Sequence, residues 1–524
     1  MKHVKKTVGT KKTENYMGEP AYVLHDEERL LNLVATCLMN EPKYYGSTGK
    51  VETEIRELCE KLHSEYILQL ALYARRSLHL RSTPIYLLAV AAHIPETKQF
   101  VRMYTPYIIQ RADEINEVLA CYLAYFKKPV PNSLKKGVAA AFKNFDEYQF
   151  AKYNRDGTVK FKDAIMITHP RKPSKIIKKI LDGKLETPKT WEVELSAKGN
   201  KREVWDELVR EKKLGYMATL RNLNNMLKAD ILSWPKVIDY LTNEKAIANS
   251  KQLPHRFLSA YEAIGGDVPK AEMKFENERN ADMVPKLQDA LNTAMRLAAE
   301  HNIPKIPGKT IILADNSGSA RGDYGGESKP SSKSIRSMAD IGNLLGLLTW
   351  YSCENTMFCT FGDKLIQAQP DRKVGILDNF RKVDEAGKRV GESTEQGVFT
   401  MLERMIEDKI MVDRLVVCSD LQIGDGRDQE YGLDRHRKGN TVPKLLAQYR
   451  EEVNPNLMYY SVCFNGYGTD VVMGEKKVLI SGFSDNILRF IAQHEQNGAT
   501  QIQHIKTMGM EEHSDKNEHS NEEP

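Results

Sequence analysis

Two hydrophobic rhythms divide the chain. Between Asp26 and about residue 300, apolar residues recur at intervals of three and four, as in EERLLNLVATCLM, TEIRELCEKLHSEYILQLALYARR, TPIYLLAVAAH and INEVLACYLAYFKK, with breaks at Pro, Gly or Asn. That spacing lines one face of an α-helix. Strand-like alternation is almost absent here, so the pattern predicts a long succession of paired amphipathic helices, stacked as an α-solenoid or gathered in a looser bundle. A further amphipathic helix is expected from Asn280 to His301.

Beyond residue 305 the rhythm changes. The apolar run Ile311, Ile312, Leu313, Ala314 has the length and composition of a fully buried strand, and TMFCTFG, RLVVCSD, LMYYSVCF and KVLISG read as further strands. They alternate with the helical stretches SSKSIRSMADIGNLLGLLTWYSC, EQGVFTMLERMIEDK, VPKLLAQYREEV and NILRFIAQHE. This order predicts a doubly wound, mostly parallel α/β sheet, whose ligands bind at the carboxyl ends of its strands.

Composition narrows the class. At 524 residues the chain is too long for one core, and 41% hydrophobic with 28% charged residues is ordinary for a soluble globular protein. No apolar run reaches the roughly 18 residues of a membrane span, and MKHVKKTVGTKKTENY lacks the apolar core of a secretory signal, so a cytoplasmic protein is expected. The seven cysteines (Cys37, Cys59, Cys121, Cys353, Cys359, Cys418, Cys463) have no metal-ligand spacing and read as reduced core thiols.

Charge divides the chain where the rhythm does. Residues 1–309 hold 51 basic against 38 acidic side chains, and residues 310–524 hold 25 against 33. The basic part suits a polyanion, whereas the acidic part suits a cation or a basic partner. The strongest basic patch is residues 151–190, with eleven Lys or Arg against four Asp or Glu. Its cations include Lys152, Arg155, Lys160, Lys162, Arg171 and Lys172, and Tyr148, Phe150, Tyr153 and Phe161 are interleaved with them. Single-stranded RNA would be held by such a surface, cations on phosphates and rings on bases. The plainer reading is a solvated lysine-rich face whose rings pack inward.

The run LALYARRSLHLRSTP, the segment AKYNRDG followed by FKDAIMITHPRKP, the helix ATLRNLNNML and the turn LPHRFLSAYE, in that order, resemble the TROVE domain of the Ro ribonucleoprotein autoantigen family, bacterial relatives included. The resemblance covers nearly all of residues 20–300. It implies a ring of HEAT-like helical pairs that binds small noncoding Y RNAs on its outer surface and single-stranded 3' ends of misfolded RNAs in its central hole. It also implies RNA contact by Lys152, Arg155 and His169, and by Arg221 in the TLRNL helix. The spacing before Gly157 is shorter than in the family pattern. Read without the resemblance, His169 is a helix-end residue before Pro170, and Arg221 an internal ion-pair partner.

The first strand of the second part ends at Asp315-Asn316-Ser317-Gly318-Ser319, one carboxylate and two hydroxyls at alternating positions. Oxygen donors suit a hard divalent ion such as Mg2+, and so few carboxylates leave it open to a further ligand. Ser393-Thr394 precedes a helix and Ser419-Asp420 closes another strand. Asp315, Ser317, Ser319, Thr394 and Asp420 resemble, in order, the metal-ion-dependent adhesion site of von Willebrand factor A domains. That resemblance implies a Mg2+ site accepting a carboxylate from a partner. The chain departs from the family in the polar segment RGDYGGESKPSS, whose Arg321-Gly322-Asp323 triplet reads as coincidence.

No nucleophile elbow, phosphate-binding glycine loop or zinc signature accompanies these motifs, so no catalytic residue and no enzymatic role are expected. The expected organisation is a flexible basic arm (1–20), an all-α helical-repeat RNA-binding domain (21–305), a Rossmann-like A-type domain (306–507) and a disordered acidic tail (508–524). The expected function is an RNA-binding scaffold for Y-like RNA and misfolded RNA 3' ends, monomeric within a ribonucleoprotein and working with an exoribonuclease. The alternative is a Mg2+-dependent protein-interaction module on a helical scaffold.

Overall fold

The computed structural model describes residues 11–14, 20–23, 25–36, 48–154, 157–171, 174–186, 190–266, 278–322, 337–392, 395–419, 441–463, 469–470, 476–481, 487–497 and 501–508. The chain forms two compact units. One comprises residues 25–42, 47–188 and 493–524, and the other residues 1–24, 43–46 and 189–492.

The first unit is helical. Its helices are Asp26–Thr36, Thr48–Leu62, Tyr66–Arg76, Ser82–His93, Lys98–Ile108, Ala112–Phe126, Asn132–Ala141, Glu147–Lys152, Phe161–Thr168, Lys175–Asp182 and Gln501–Thr507, with Ile487–Asn497 crossing the boundary between the units. Except for Gln501–Thr507, which packs on Tyr66–Arg76, they pack chiefly on helices close by in the sequence, as helical pairs do. Helix Ser82–His93 is apolar on every side, and Thr83 through Ala92 are all buried between flanking helices. Helices Lys98–Ile108 and Asn132–Ala141 approach so closely that a Cβ on Gly137 would stand 2.5 Å from Thr105 Oγ1.

The second unit carries the sheet. Its strands are β1 (Ile306–Asp315), β2 (Cys353–Phe361), β3 (Leu365–Ala368), β4 (Arg414–Ser419), β5 (Met458–Cys463) and β6 (Lys477–Ser481), in the spatial order β3-β2-β1-β4-β5-β6. All neighbours are parallel except β2 and β3, an antiparallel hairpin at the edge. The central strands β1 and β4 are buried from Thr310 to Asp315 and from Arg414 to Ser419, as continuous apolar runs in a sheet covered on both faces should be. On one face Ile311, Leu313, Leu415 and Val417 pack against Val398, Leu402, Leu445 and Tyr449. The sequence expectation of helical repeats followed by a doubly wound sheet matches this architecture.

The units do not follow the expected boundary at residue 305. Helices from Trp191 onward cluster with the sheet, because the long helix Glu278–His301 packs against Met338–Ser352 and Ile376–Gly387. The Asn292 side chain accepts the Leu377 N–H at 3.3 Å across that contact. Conversely, Gln501–Thr507 belongs to the helical unit: Gln69 Nε2 donates to the Lys506 carbonyl at 2.8 Å and Lys506 pairs with Glu27 at 2.7 Å. Within the expected arm, Lys11–Glu14 pairs antiparallel with Pro20–Val23, a backbone ladder that needs no hydrophobic period. The rest of residues 1–19 and the expected tail beyond Met508 lie outside the described residues.

Among the described residues no helix is long and apolar enough to cross a membrane. Cys59, Cys121, Cys353, Cys359 and Cys418 form no disulfide among the described residues. Burial pushes the thiols of Cys121, Cys359 and Cys418 up to about 12, so they are inert at neutral pH.

Candidate functional site

In a sheet of this order the chain turns in opposite directions from β1 and β4, and the crevice beyond their carboxyl ends is where ligands bind. Asp315 and Ser419 end those strands, both buried. The Ser419 hydroxyl donates to Asp315 Oδ2 at 2.6 Å, and the Ser317 N–H donates to Oδ1 at 3.0 Å. Ser317 Oγ lies 3.2 Å from Ser319 Oγ. Adjacent ligands of an octahedral ion at about 2.1 Å are about 3.0 Å apart, so the two hydroxyls already converge as Mg2+ ligands would.

Thr394 and Asp420 lie outside the described residues, but their chain neighbours are tied to this loop. The Gly318 N–H donates to the Glu392 carbonyl at 3.0 Å, and Ser419, bonded to Asp315, directly precedes Asp420. Of those two segments the described residues that bond to this loop are Glu392 and Ser419. Among the described residues no group of three or more His, Cys, Asp or Glu could hold a metal.

Behind the seat is a clamp that the sequence pattern did not single out. Asn316 and Asn343 exchange two side-chain hydrogen bonds at 2.8 and 2.9 Å, both residues fully buried. Arg321 Nη2 reaches Asn316 Oδ1 at 2.6 Å and its Nη1 pairs with Asp384 at 3.1 Å. The arginine of the Arg-Gly-Asp triplet thus serves the loop internally. A buried Asn in an otherwise apolar helix was the available signal for Asn343.

In the helical unit the basic segment forms three short helices. Asp146 caps Glu147–Lys152 by accepting the Gln149 N–H at 2.7 Å, and the Lys160 N–H donates to Asp163 at 2.9 Å at the start of Phe161–Thr168. His169 ends that helix in the left-handed region at φ 46°, exposed, and Ser174 caps the next helix, Lys175–Asp182. Lys160, Lys162 and Arg171 are exposed and Lys152 is half-buried, whereas Arg155 and Lys172 lie outside the described residues. Lys179 is engaged by Glu147 at 2.7 Å.

The four interleaved aromatics separate in two. Phe150 and Phe161 are buried, 5.1 Å apart edge to face, and Phe150 also meets Phe142 and Phe145. For these two the stacking expectation is corrected: they bind the helices together, because packing a ring against other rings removes its apolar surface from water. Tyr148 is exposed and Tyr153 half-buried. Arg221 belongs to the other compact unit and is exposed, with no ion pair among the described residues.

The TROVE domain matches residues 26–183 and 178–279. That is a TROVE-domain match over just under half of the chain. The chain is similar to telomerase protein component 1 of Rattus norvegicus, 22% identical over 89% of this chain and 23% of that protein, and of Mus musculus, 28% identical over 45% of this chain and 12% of that protein. The chain thus spans about a quarter or less of the curated relatives it matches. The crystal structure of the Ro (RSR) protein of Deinococcus radiodurans superposes with a TM-score of 0.63 at 18% identity, covering 90% of this chain and all of that one. At that identity the likeness is one of fold. The TROVE region matches the helical repeats of Ro, and the sheet that follows is consistent with an A-type domain.

Proposed function

We propose that this protein is the RNA-binding component of a ribonucleoprotein particle and not an enzyme, with a second, metal-dependent docking site on its sheet unit. The TROVE match supports the RNA-binding assignment. The observation that carries it to particular residues is the exposed cation set Lys160, Lys162 and Arg171, with His169 turned outward by its left-handed cap. Lysine and arginine would neutralise phosphates, while the imidazole would stack or donate to a phosphate oxygen. The ligand class we favour is a small structured Y-like RNA together with misfolded RNAs that offer a single-stranded 3' end, bound by a protein monomer in the cytoplasm.

The convergence of Ser317 and Ser319 at Asp315 supports Mg2+ as the ion of the strand-end site. Asp315, Ser317 and Ser319 would hold it, with Thr394 and Asp420. The ion would supply an open position for a carboxylate of a protein partner, and an exoribonuclease acting on the bound RNA is the partner class we favour.

Gel-shift titration of a structured RNA bearing a single-stranded tail tests the first part. Affinity should fall steeply with salt, and Lys152→Ala and His169→Ala should weaken it. Binding indifferent to salt, or none at all, would reject it. Pull-downs before and after ribonuclease, with and without chelator, test the second reading: partners lost to chelator alone mark a protein-docking module independent of RNA.

A further inference from the structure

We propose that the base-contacting surface extends beyond the basic segment to Tyr107, and that Tyr107, Tyr153 and Tyr148, each backed by a cation, form a stacking platform for an unpaired RNA strand. The inference rests on the RNA-binding reading above; to Tyr148 and Tyr153, which the sequence set among the cations, it adds Tyr107 and the arginines Arg76 and Arg111 that stand over the rings.

The contacts all lie within the helical unit. The Arg76 guanidinium lies 5.7 Å from the Tyr107 ring centre, near the end of helix Lys98–Ile108. That helix end is joined to the start of the basic segment, since Asn144 Nδ2 donates to the Pro106 carbonyl at 2.8 Å. Four residues after Tyr107, Arg111 covers Tyr153 at 4.5 Å. Lys152 Nζ lies 5.8 Å from Tyr153 and 5.9 Å from Tyr148. Tyr107 is 39% and Tyr148 53% exposed, although Phe142, Phe145 and Phe150 beside them are buried against one another. The fold therefore turns the phenylalanines in and leaves the tyrosines out, each with a cation over the ring.

The electrostatics divide the labour. Arg111 grips Asp113 at 3.0 and 3.2 Å, Asp113 also takes Arg81 at 2.6 Å, Arg81 takes Glu117 at 2.6 Å, and Arg75 meets the buried Glu114 at 2.7 Å. Three arginines face three carboxylates, so Arg111 has no surplus charge to give a phosphate. It is a positioning residue that keeps a fixed guanidinium over the Tyr153 ring. A ring fixed by a cation is what a base needs to stack upon, and such stacking tolerates any sequence. The rings then take bases, while Lys152, Lys162 and Arg171 take phosphates.

Fluorescence anisotropy of a labelled oligoadenylate of about 12 nucleotides, titrated at several salt concentrations, tests the platform in the full chain. Tyr107→Leu and Tyr148→Leu should each weaken binding about tenfold at every salt concentration, leaving the slope of log affinity against log salt unchanged. Tyr107→Phe and Tyr148→Phe should bind as the parent does. Lys152→Ala should instead reduce the slope by about 0.7. Leu variants that bind normally, Phe variants that fall as far as Leu variants, or a changed slope in a ring variant would overturn the platform. Tyr148 is exposed enough for its substitution to spare the fold should Tyr107→Leu disturb its helix end. If the parent protein binds neither oligoadenylate nor structured RNA, the RNA-binding reading fails and the platform with it. If Lys152→Ala weakens binding and the ring variants do not, only the platform falls.

Discussion

The Ser419 hydroxyl donates to Asp315 across the carboxyl ends of β4 and β1, 2.6 Å apart, at the point where the sheet reverses its winding. With the Ser317 N–H on the other oxygen, the carboxylate is oriented before any ion arrives. Preorganisation of this kind is expected to show as affinity. Asp315→Ala should abolish Mg2+ binding by calorimetry, and Ser419→Ala should weaken it about tenfold, roughly 1.4 kcal/mol. Mg2+ at about 100 times its dissociation constant should add about 2.7 kcal/mol to the stability of the parent protein. Identical melting with Mg2+ and with chelator would count against the seat.

The clamp behind the seat makes a second prediction. A Cβ on Gly387 would stand 2.1 Å from Asn316 Oδ1 and 2.3 Å from Arg321 Nη2, so Gly387→Ala must push the two apart. A loss of about 1–3 kcal/mol is expected by urea denaturation, the usual cost of overpacking. Mg2+ affinity should fall with it, because Asn316 lies between two residues of the seat.

In the helical unit, Glu114 is wholly buried between Arg75, Arg81 and the N–H groups of Gln110 and Arg111. Burial raises its carboxyl above the ordinary value, against the opposing pull of Arg75, and burial likewise lowers Arg75. Both partners are thus held at a desolvation cost that each relieves for the other. Glu114→Ala should cost about 3–5 kcal/mol by leaving Arg75 buried and unpaired. Replacing both, Arg75→Met with Glu114→Ala, should recover most of it. Additive losses in that double-mutant cycle would contradict the coupling.

His169 offers a separation of binding from folding. Its left-handed backbone costs any residue with a Cβ about 1–2 kcal/mol, a strain that glycine escapes. His169→Gly should therefore match or exceed the parent in thermal stability while losing RNA affinity. A destabilised variant would mean that the imidazole holds the fold.

Acid should weaken the helical unit through His494. Burial draws its imidazole below the ordinary 6.5, with Glu495 pulling more weakly upward. The unfolded chain then binds more protons, so stability is full above pH 6.5 and is lost as the pH falls through the unfolded value towards the folded one. His494→Asn should flatten the melting temperature between pH 7.5 and 5.5, and an unchanged profile would assign the acid loss elsewhere.

The fold was legible where the periodicity was strong. Leu313 and Val417 lie in apolar runs that can only be central strands, and Ala314 and Cys418 do sit opposite one another. The strand-end donors were legible because Asp315, Ser317 and Ser419 follow such runs directly. The short strand Leu365–Ala368 and the helix Ile376–Gly387 were not, since the first has only four residues and the second owes its place to Asn292 and Asn316 beyond its own sequence. For the basic segment, charge gave the location but not the orientation of its rings. Phe150 and Tyr148 are two residues apart, and only packing against Phe142 and Phe161 decides that one turns in and the other out.

Helix Gln501–Thr507 gives the chain a schedule as well as a shape. The helical unit is begun at residue 25 and left at residue 188, and it receives its last helix only after about 300 further residues. At roughly 5–20 residues per second a ribosome needs about 15–60 s for that stretch. Throughout that interval the surface around Gln69 and Glu27 that later meets Lys506 is bare, so the nascent helical unit is completed last although it is made first. A chain stopped at residue 500 would leave unmet a surface built more than 400 residues earlier.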